Sequence, residues 1–523
     1  TGIDLALLVV AADDSLKPQT REHFDILRLL NLQAGVIAIT KCDLADGSWI
    51  DLVEDEIREF VRGSFLESAP LVRTSSATGE GLDTLRAELE RAARQAAAQR
   101  DADGTEAPFR MAIDRAFTLA GHGTIVTGSV SSGQVQVGDE LAIEPGALRV
   151  RVRGLQNHDQ PAQQVHRGQR AAVNLAGVHH AGIERGQELA TPGHLQPSRV
   201  LTVRLQAVPG VPRPIKNRCR VRVHLGTAEL LGTLVLLDAD ALGPTESAYA
   251  QLHLVRPAVA TWSQPFVIRS ESPVQTIGGG QVLMPDAERL RRGVPETLAQ
   301  LTALSSPEPL DRAAAAWYFA GLRHWQPADL ARTAGIASPQ AVYEALCAQG
   351  LLCEVAVSPT RTVCFHRDVL QELCDRLEKT LEKLHHQFPL RVAHPRLRVR
   401  QLFHYIDDAV FQRAVATLQR AGRIRLSDDG IALEGHGPKL TANERKLLGQ
   451  LVEDYRQAGF EPPTVAQMQQ QASRNQAAVP QLIALAVAHG DLVAISAEYY
   501  LHADVDRATR AQLASLLADR GGL

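Results

Sequence analysis

Aromatic side chains are scarce in this 523-residue chain: Trp, Tyr and Phe number 4, 7 and 12 and together make 4% of it. Its cores must therefore be built from Leu, Val, Ile and Ala. Cysteine is scarcer still, with six residues: Cys42, Cys219, Cys347, Cys353, Cys364 and Cys374. None stand in a C-x-x-C pair, and so long a chain is no disulfide scaffold, which points to reduced packing residues in a cytoplasmic protein. Long apolar runs are missing too. Leu5 to Ala12 falls well short of the ~20 residues that span a bilayer and has no basic flank, so no membrane association is expected. A charge excess is also absent, because Lys+Arg is 55 and Asp+Glu 59, a net charge of −4. That excludes a chain that coats nucleic acid by uniform positive charge, but not one small basic module. What is present is ordinary globular material, 45% hydrophobic and 22% charged, in a length that predicts roughly three to five domains.

The texture changes along the chain. Leu5-Ala6-Leu7-Leu8-Val9-Val10 reads as a strand buried on both faces. An amphipathic helix over 18–31, a second buried strand at Val36–Ile39, a helix over 49–62, a short strand at Leu71-Val72 and a helix from Leu82 to Ala97 follow. This alternation predicts a parallel, doubly wound α/β sheet over residues 1–100, with about half the strands such a sheet normally has. After a polar linker, Asp101 to Pro108, glycine-punctuated short strands predict antiparallel β-barrels or sandwiches over 108–192 and 198–285. From Pro285 a helix–Gly–strand unit recurs at Gly350, Gly422 and Gly490. The period near 70 residues suits tandem winged-helix domains over 286–368, 369–435 and 436–503, with the opening helix of a fourth over 504–523.

Thr40-Lys41-Cys42-Asp43 directly follows the strand Val36–Ile39. Ligands of open α/β sheets sit at the carboxyl ends of strands. An Asp there can accept from both N1–H and the N2 amine of guanine, a donor pair that adenine lacks. Some 30 residues on comes Ser75-Ser76-Ala77-Thr78-Gly79-Glu80-Gly81, whose backbone N–H groups suit a contact with guanine O6. Each segment alone also reads as an ordinary helix cap; their order and their place at successive strand ends favour a guanine site of Thr40, Lys41, Asp43, Ser75 and Ser76. No G-x-x-x-x-G-K-[ST] loop is found. Gly123-Thr124-Ile125-Val126-Thr127-Gly128-Ser129 mimics one without the Lys, inside a β-domain. Without a phosphate cradle and a magnesium clamp, this polypeptide by itself is not expected to hydrolyse GTP. Catalytic residues are expected upstream of Thr1. His179-His180 and His385-His386 lack metal-ligand spacing, and no metal site is expected among them.

The Asp4–Asp14 stretch, Pro18-Gln19-Thr20-Arg21-Glu22-His23, the Gly121–Val130 segment with Val137-Gly138-Asp139, and Val274–Val282 with its glycine triplet resemble the translational GTPases of the elongation factor Tu class. The helical array after residue 285 and Ala112-Ile113-Asp114-Arg115-Ala116-Phe117 narrow the resemblance to the bacterial selenocysteine-specific elongation factors, lacking the first half of the GTP-binding domain and the last winged helix. The resemblance implies a P-loop-type G domain, GTP with Mg2+ as cofactors, and selenocysteinyl-tRNA and the ribosome as partners. It implies an mRNA insertion hairpin gripped by the last winged helix and delivery at UGA codons. It also implies a selenocysteine pocket of Asp114, Arg115 and Arg170. A selenolate is an anion that two guanidinium groups stabilise, whereas a seryl hydroxyl leaves them uncompensated.

Two other readings stay open on sequence. One is a different translational GTPase with an unrelated helical tail. The other is a winged-helix nucleic-acid regulator without nucleotide chemistry. In the tail, Arg391, Arg396, Arg398 and Arg400 form the densest basic cluster and Arg413, Arg420, Arg423 and Arg425 the next, candidates for sequence-blind phosphate contacts.

Overall fold

A computed structural model describes residues 3–519 except 31, 101–106, 120–122, 179–181, 212, 429, 439, 473–474 and 497. Most of the expected linker 101–108, the first two residues of the Gly121 segment and the His179-His180 pair lie outside the described residues. Two compact units divide the chain, residues 1–351 and 352–523.

The first unit opens with β1 (Leu5–Ala11), α1 (Pro18–Leu29), β2 (Ala34–Thr40), α2 (Gly47–Val61), β3 (Leu71–Arg73) and α3 (Leu82–Arg100). The strands form a parallel sheet in the order β1-β2-β3. β2 is central, and its Val36-Ile37-Ala38-Ile39 run is wholly buried, as expected of a strand covered on both faces. Ile37 and Ile39 pack with Ile50, Val53 and Ile57 of α2 on one face; Val36 packs with Ala92 of α3 on the other. The two-faced cover does not extend to β1. Leu7 and Val9 are 42% and 50% exposed, because among the described residues β1 is an edge strand that pairs only with β2. Its apolar run therefore alternates in burial, contrary to expectation.

Two barrels follow. In the first, β4 (Arg110–Leu119) and β5 (Gly123–Ser132) join the strands Glu140–Glu144, Leu148–Asn157, Arg170–Ala176 and Glu188–Ala190. The sheet closes because Arg170–Ala176 pairs with both β5 and Leu148–Asn157. The second is a closed barrel of Ser198–Ala207, Cys219–Leu225, Ala228–Leu236, Ser247–Ala258, Pro265–Ser270 and Thr276–Met284. Its Gly278-Gly279-Gly280 run lets neighbouring strands come close: a Cβ at Gly279 would stand 2.4 Å from the Phe266 carbonyl oxygen and 3.0 Å from Leu29 of α1. Leu29 completes this barrel's core, and Glu22 of α1 accepts hydrogen bonds from Arg269 Nη2 (2.9 Å) and Thr276 Oγ1 (3.2 Å). Between the barrels lies a buried polar knot that no local pattern of residues foretells. Arg110 forks onto Glu188 and also donates to Thr261 Oγ1 at 2.6 Å and Gln264 Oε1 at 2.5 Å.

Helices α4 (Pro295–Leu304), α5 (Pro309–Ala320), α6 (Asp329–Ala334) and α7 (Pro339–Ala348) end the unit. They are tied to the second barrel by Trp262, whose indole donates to the Leu304 carbonyl at 3.0 Å and whose backbone N–H donates to Arg332 O at 2.7 Å. The border between the units falls after Leu351, inside the 286–368 span.

The second unit begins with an antiparallel hairpin, Leu352–Ser358 with Arg361–His366. It continues through α8 (Arg367–Gln387), α9 (Arg396–Gln401), α10 (Asp408–Arg420) and the hairpin Ile424–Ser427 with Gly430–Leu433. Then come α11 (Ala442–Ala458), α12 (Val465–Gln471), α13 (Val479–His489), the hairpin Leu492–Ala494 with Tyr500–His502, and α14 (Ala503–Asp519). Three helices followed by a strand pair is the element order of a winged helix, and it occurs twice here. Gly422 (φ 65°) and Gly490 (φ 82°) turn each third helix into its hairpin in the left-handed region, which glycine enters without steric cost.

Candidate functional site

The guanine-side residues converge at the carboxyl ends of β2 and β3. Thr40 ends β2 and its carbonyl accepts from Ala12 N at 2.8 Å, which binds it to the end of β1. Lys41 then takes a left-handed conformation, φ 58° and ψ 34°, uncommon for a residue with a side chain and concentrated at functional loops. Its ammonium reaches Asp13 at 2.8 Å; this hydrogen bond and the Asp13 charge raise the Lys41 pKa. Asp43 lies exposed in the following turn, and its Oδ1 accepts from the Ser75 hydroxyl. Ser75 is buried, and its Oγ also accepts from Ala77 N and Thr78 N, both at 3.2 Å. The loop is closed by Ser75 N donating to Glu80 O at 3.0 Å. Gly81 (φ 72°) permits this: a Cβ there would stand 1.9 Å from the Arg73 carbonyl oxygen. Ser76 is exposed and follows in the chain the Ser75 that holds the Asp43 carboxylate. An exposed carboxylate next to an open backbone loop fits the hydrogen-bonding edge of a guanine. The structure thus brings all five expected residues to one place and adds Asp13, whose 28-residue separation from Lys41 carries no local pattern.

The second constellation lies on the first barrel. β4 and β5 slip register between Ile113 and Arg115, so that Ile113 opposes Gly128 and Arg115 opposes Thr127. Asp114 is the extra residue of this bulge, and bulges re-aim side chains. Its carboxylate spans three strands: Oδ1 accepts from Thr127 Oγ1 at 2.7 Å and Oδ2 from Arg170 Nη1 at 2.6 Å. Partial burial works to raise the Asp114 pKa, but the bonds from Arg170 and Thr127 and the charges of Arg170 and Arg115 outweigh it and leave it lowered. Arg115 is exposed on the same bulge, and the Arg170 side chain is 55% exposed. The result is a part-exposed cationic patch beside a carboxylate held by two hydrogen bonds. Thr127 was missed from sequence, although it lies inside the Gly123–Ser129 segment.

The tail clusters divide. Arg400 is consumed internally, donating to Asp408 Oδ1 and to the carbonyls of Phe403 and Ile406. Arg423 pairs with Asp375 and Glu378. His385 stacks on His436 at 3.6 Å between ring centroids and lies 4.7 Å from His394. Even so, no group of three His, Cys, Asp or Glu among the described residues could hold a metal ion.

Residues 1–95 match the family described as elongation factor Tu GTP binding domain, and residues 123–190 the one described as elongation factor Tu domain 2. Residues 199–289 match the selenocysteine-specific elongation factor beta-barrel domain. A selenocysteine-specific elongation factor of Desulfomicrobium baculatum is 34% identical over 504 residues, covering 95% of this chain and 78% of its own length. The chain belongs to the selenocysteine-specific elongation factors. The similarity to that relative runs through the helical tail as well as the barrels, which removes the reading of an unrelated tail. The Escherichia coli K12 selenocysteine-specific elongation factor is 34% identical over 306 residues, 58% of this chain and 47% of its own length. A crystal structure of a bacterial selenocysteine-specific elongation factor shares the fold, with TM-score 0.60 and 18% identity over 98% of this chain and 79% of that one. As a member of this family of translational GTPases, the protein is a GTP-dependent translation elongation factor of selenocysteine incorporation. Among the described residues no helix is long and apolar enough to cross a membrane.

Proposed function

We propose that this elongation factor reads guanine with Asp43, flanked by Thr40, Lys41, Ser75 and Ser76, and grips the aminoacyl group of selenocysteinyl-tRNA with Arg115 and Arg170, oriented by Asp114. The cofactors are GTP and Mg2+, and the setting is the cytoplasm. The partners are selenocysteinyl-tRNA, the ribosome and an mRNA insertion hairpin. Residues 286–368, 369–435 and 436–503 act as winged-helix domains that join the tRNA-carrying part to the hairpin-binding end. Linking two binding sites raises the effective concentration of one at the other, which confines recoding to the UGA beside the hairpin.

The observation that carries this reading is the Asp114 carboxylate bonded to both Arg170 and Thr127. One partner of the carboxylate is a guanidinium that still faces outward, an arrangement that favours an anionic side chain over a neutral one. The test is protection of the aminoacyl ester from hydrolysis, with selenocysteinyl-tRNA against seryl-tRNA. Wild type protects the first much better. Arg170→Ala is expected to bring the two together, and an unchanged preference would overturn the pocket.

A further inference from the structure

The 24 residues from Lys383 to Ile406 hold no Asp or Glu, in a chain with 59 acids among 523 residues. Lys383, Arg391, Arg396, Arg398 and Arg400 all fall in this window. Elsewhere most of the arginines described above are paired with carboxylates. Here Arg400 is bonded internally, but Arg391, Arg396 and Arg398 have no carboxylate partner among the described residues.

Two of these guanidinium groups are held in place. Arg398 lies over the Phe388 ring at 4.4 Å and Arg391 at 5.4 Å. The backbone beneath them is fixed by a two-way bridge in which His394 N donates to Ile431 O at 2.9 Å and Ile431 N to His394 O at 2.8 Å. That approach needs Gly430, where a Cβ would stand 1.9 Å from the His394 carbonyl oxygen. Beside Arg396 opens a pocket of about 200 Å³ walled by Leu397, Phe411, Val415 and Ile431. Leu397 is 71% exposed at its lip.

We infer that this face, formed by the turn after α8, by α9 and by α10, binds single-stranded RNA. Phosphates lie on Arg391, Arg396 and Arg398, and one unstacked base covers Leu397 and enters the pocket. Single-strand readers combine cations that track the backbone with apolar and aromatic side chains that take a base; here two cations are held on Phe388 and a third, Arg396, lines a pocket that includes Phe411. A duplex would offer phosphates but no free base to the pocket. The choice of RNA over DNA rests on the protein's place in translation; the rest of the inference stands on this face alone.

The test measures binding of a fluorescent 12-nucleotide mixed A/U RNA to the full chain by anisotropy at 50 and 200 mM salt. Three phosphate contacts on a single strand predict a log–log salt slope of about −2, hence roughly twentyfold weaker binding at the higher salt. Replacing all three cations (R391Q, R396Q and R398Q) should weaken binding at least tenfold at 50 mM and flatten the slope by about 2. Leu397→Asp should abolish the preference for the single strand over the same RNA as a duplex. If the triple variant does not fold by circular dichroism, Arg396→Gln alone, at an exposed position, should flatten the slope by about 0.7. Unchanged slopes in these variants, or a wild type that binds duplex RNA or duplex DNA as tightly, would overturn the inference. The assay contains neither nucleotide nor aminoacyl group, so its failure leaves the barrel pocket untouched, and the ester-protection test likewise leaves this face untouched.

Discussion

Asp114 accepts a hydrogen bond at 2.6 Å from Arg170, which stands two strands away in the first barrel, with Thr127 on the strand between them. The pair is part-exposed, so its value for stability is small. Its value lies in orientation. Asp114→Ala is expected to leave the melting temperature nearly unchanged while lowering discrimination between selenocysteinyl- and seryl-tRNA about tenfold. Because the Asp114 pKa is lowered in the fold, its contribution is present above the ordinary carboxylate range and is lost only as pH falls through the lowered value. Discrimination measured between pH 7 and pH 5 should therefore show no loss from this carboxylate.

The guanine loop depends on one backbone approach. Gly81→Ala would drive a Cβ to 1.9 Å from the Arg73 carbonyl at φ 72°. The loop from Ser75 to Gly81 must then open, and Ser75 loses its hold on Asp43. The expected result in fluorescent guanine-nucleotide titrations is a loss of affinity at least as large as that of Asp43→Ala, with the barrels intact by circular dichroism.

The knot between the barrels is a buried ion pair, with the Arg110 and Glu188 side chains 9% and 4% exposed. Removing one partner strands the other charge. Glu188→Ala or Arg110→Ala should each cost about 3–5 kcal/mol in urea unfolding, while replacing both with apolar residues should cost less than either alone.

Two of the three clustered histidines, His385 and His394, give the tail an acid limit. Burial, His436 and His394 lower the His385 pKa to about 4, and burial, Arg391, Arg398 and His436 do the same for His394. The unfolded chain binds protons near pH 6.5 that the folded one refuses, so stability is full above about 6.5 and falls as pH drops towards 4. His385 and His394 each contribute a slope of up to about 1.4 kcal/mol per pH unit in that window. Denaturant unfolding at pH 7 and pH 5, followed by far-UV circular dichroism, should show the loss, and His394→Phe should reduce it.

Much of this was legible from residues. The β2 run, the two segments after β2 and β3, and the glycine-marked hairpins of the tail all rest on short-range patterns. Asp114 and Arg115 were legible only through resemblance, since no local rule places a functional carboxylate in a barrel bulge. What stayed hidden depends on separation along the chain. Asp13 meets Lys41, Arg110 meets Glu188 and Gln264, and His385 meets His436 only because the topology folds distant segments together. Leu7 and Val9 misled for the same reason: an apolar run states what a strand can bury, not which neighbours it has.

Glu22 is one carboxylate shared by two donors of the second barrel, Arg269 and Thr276, one turn along a helix whose Leu29 sits inside that barrel's core. Two such anchors on one short cylinder oppose its rolling. A shift of the strand end that feeds α1 would strain both contacts unless the second barrel moved with the helix, so α1 is the element that ties the parallel sheet to that barrel.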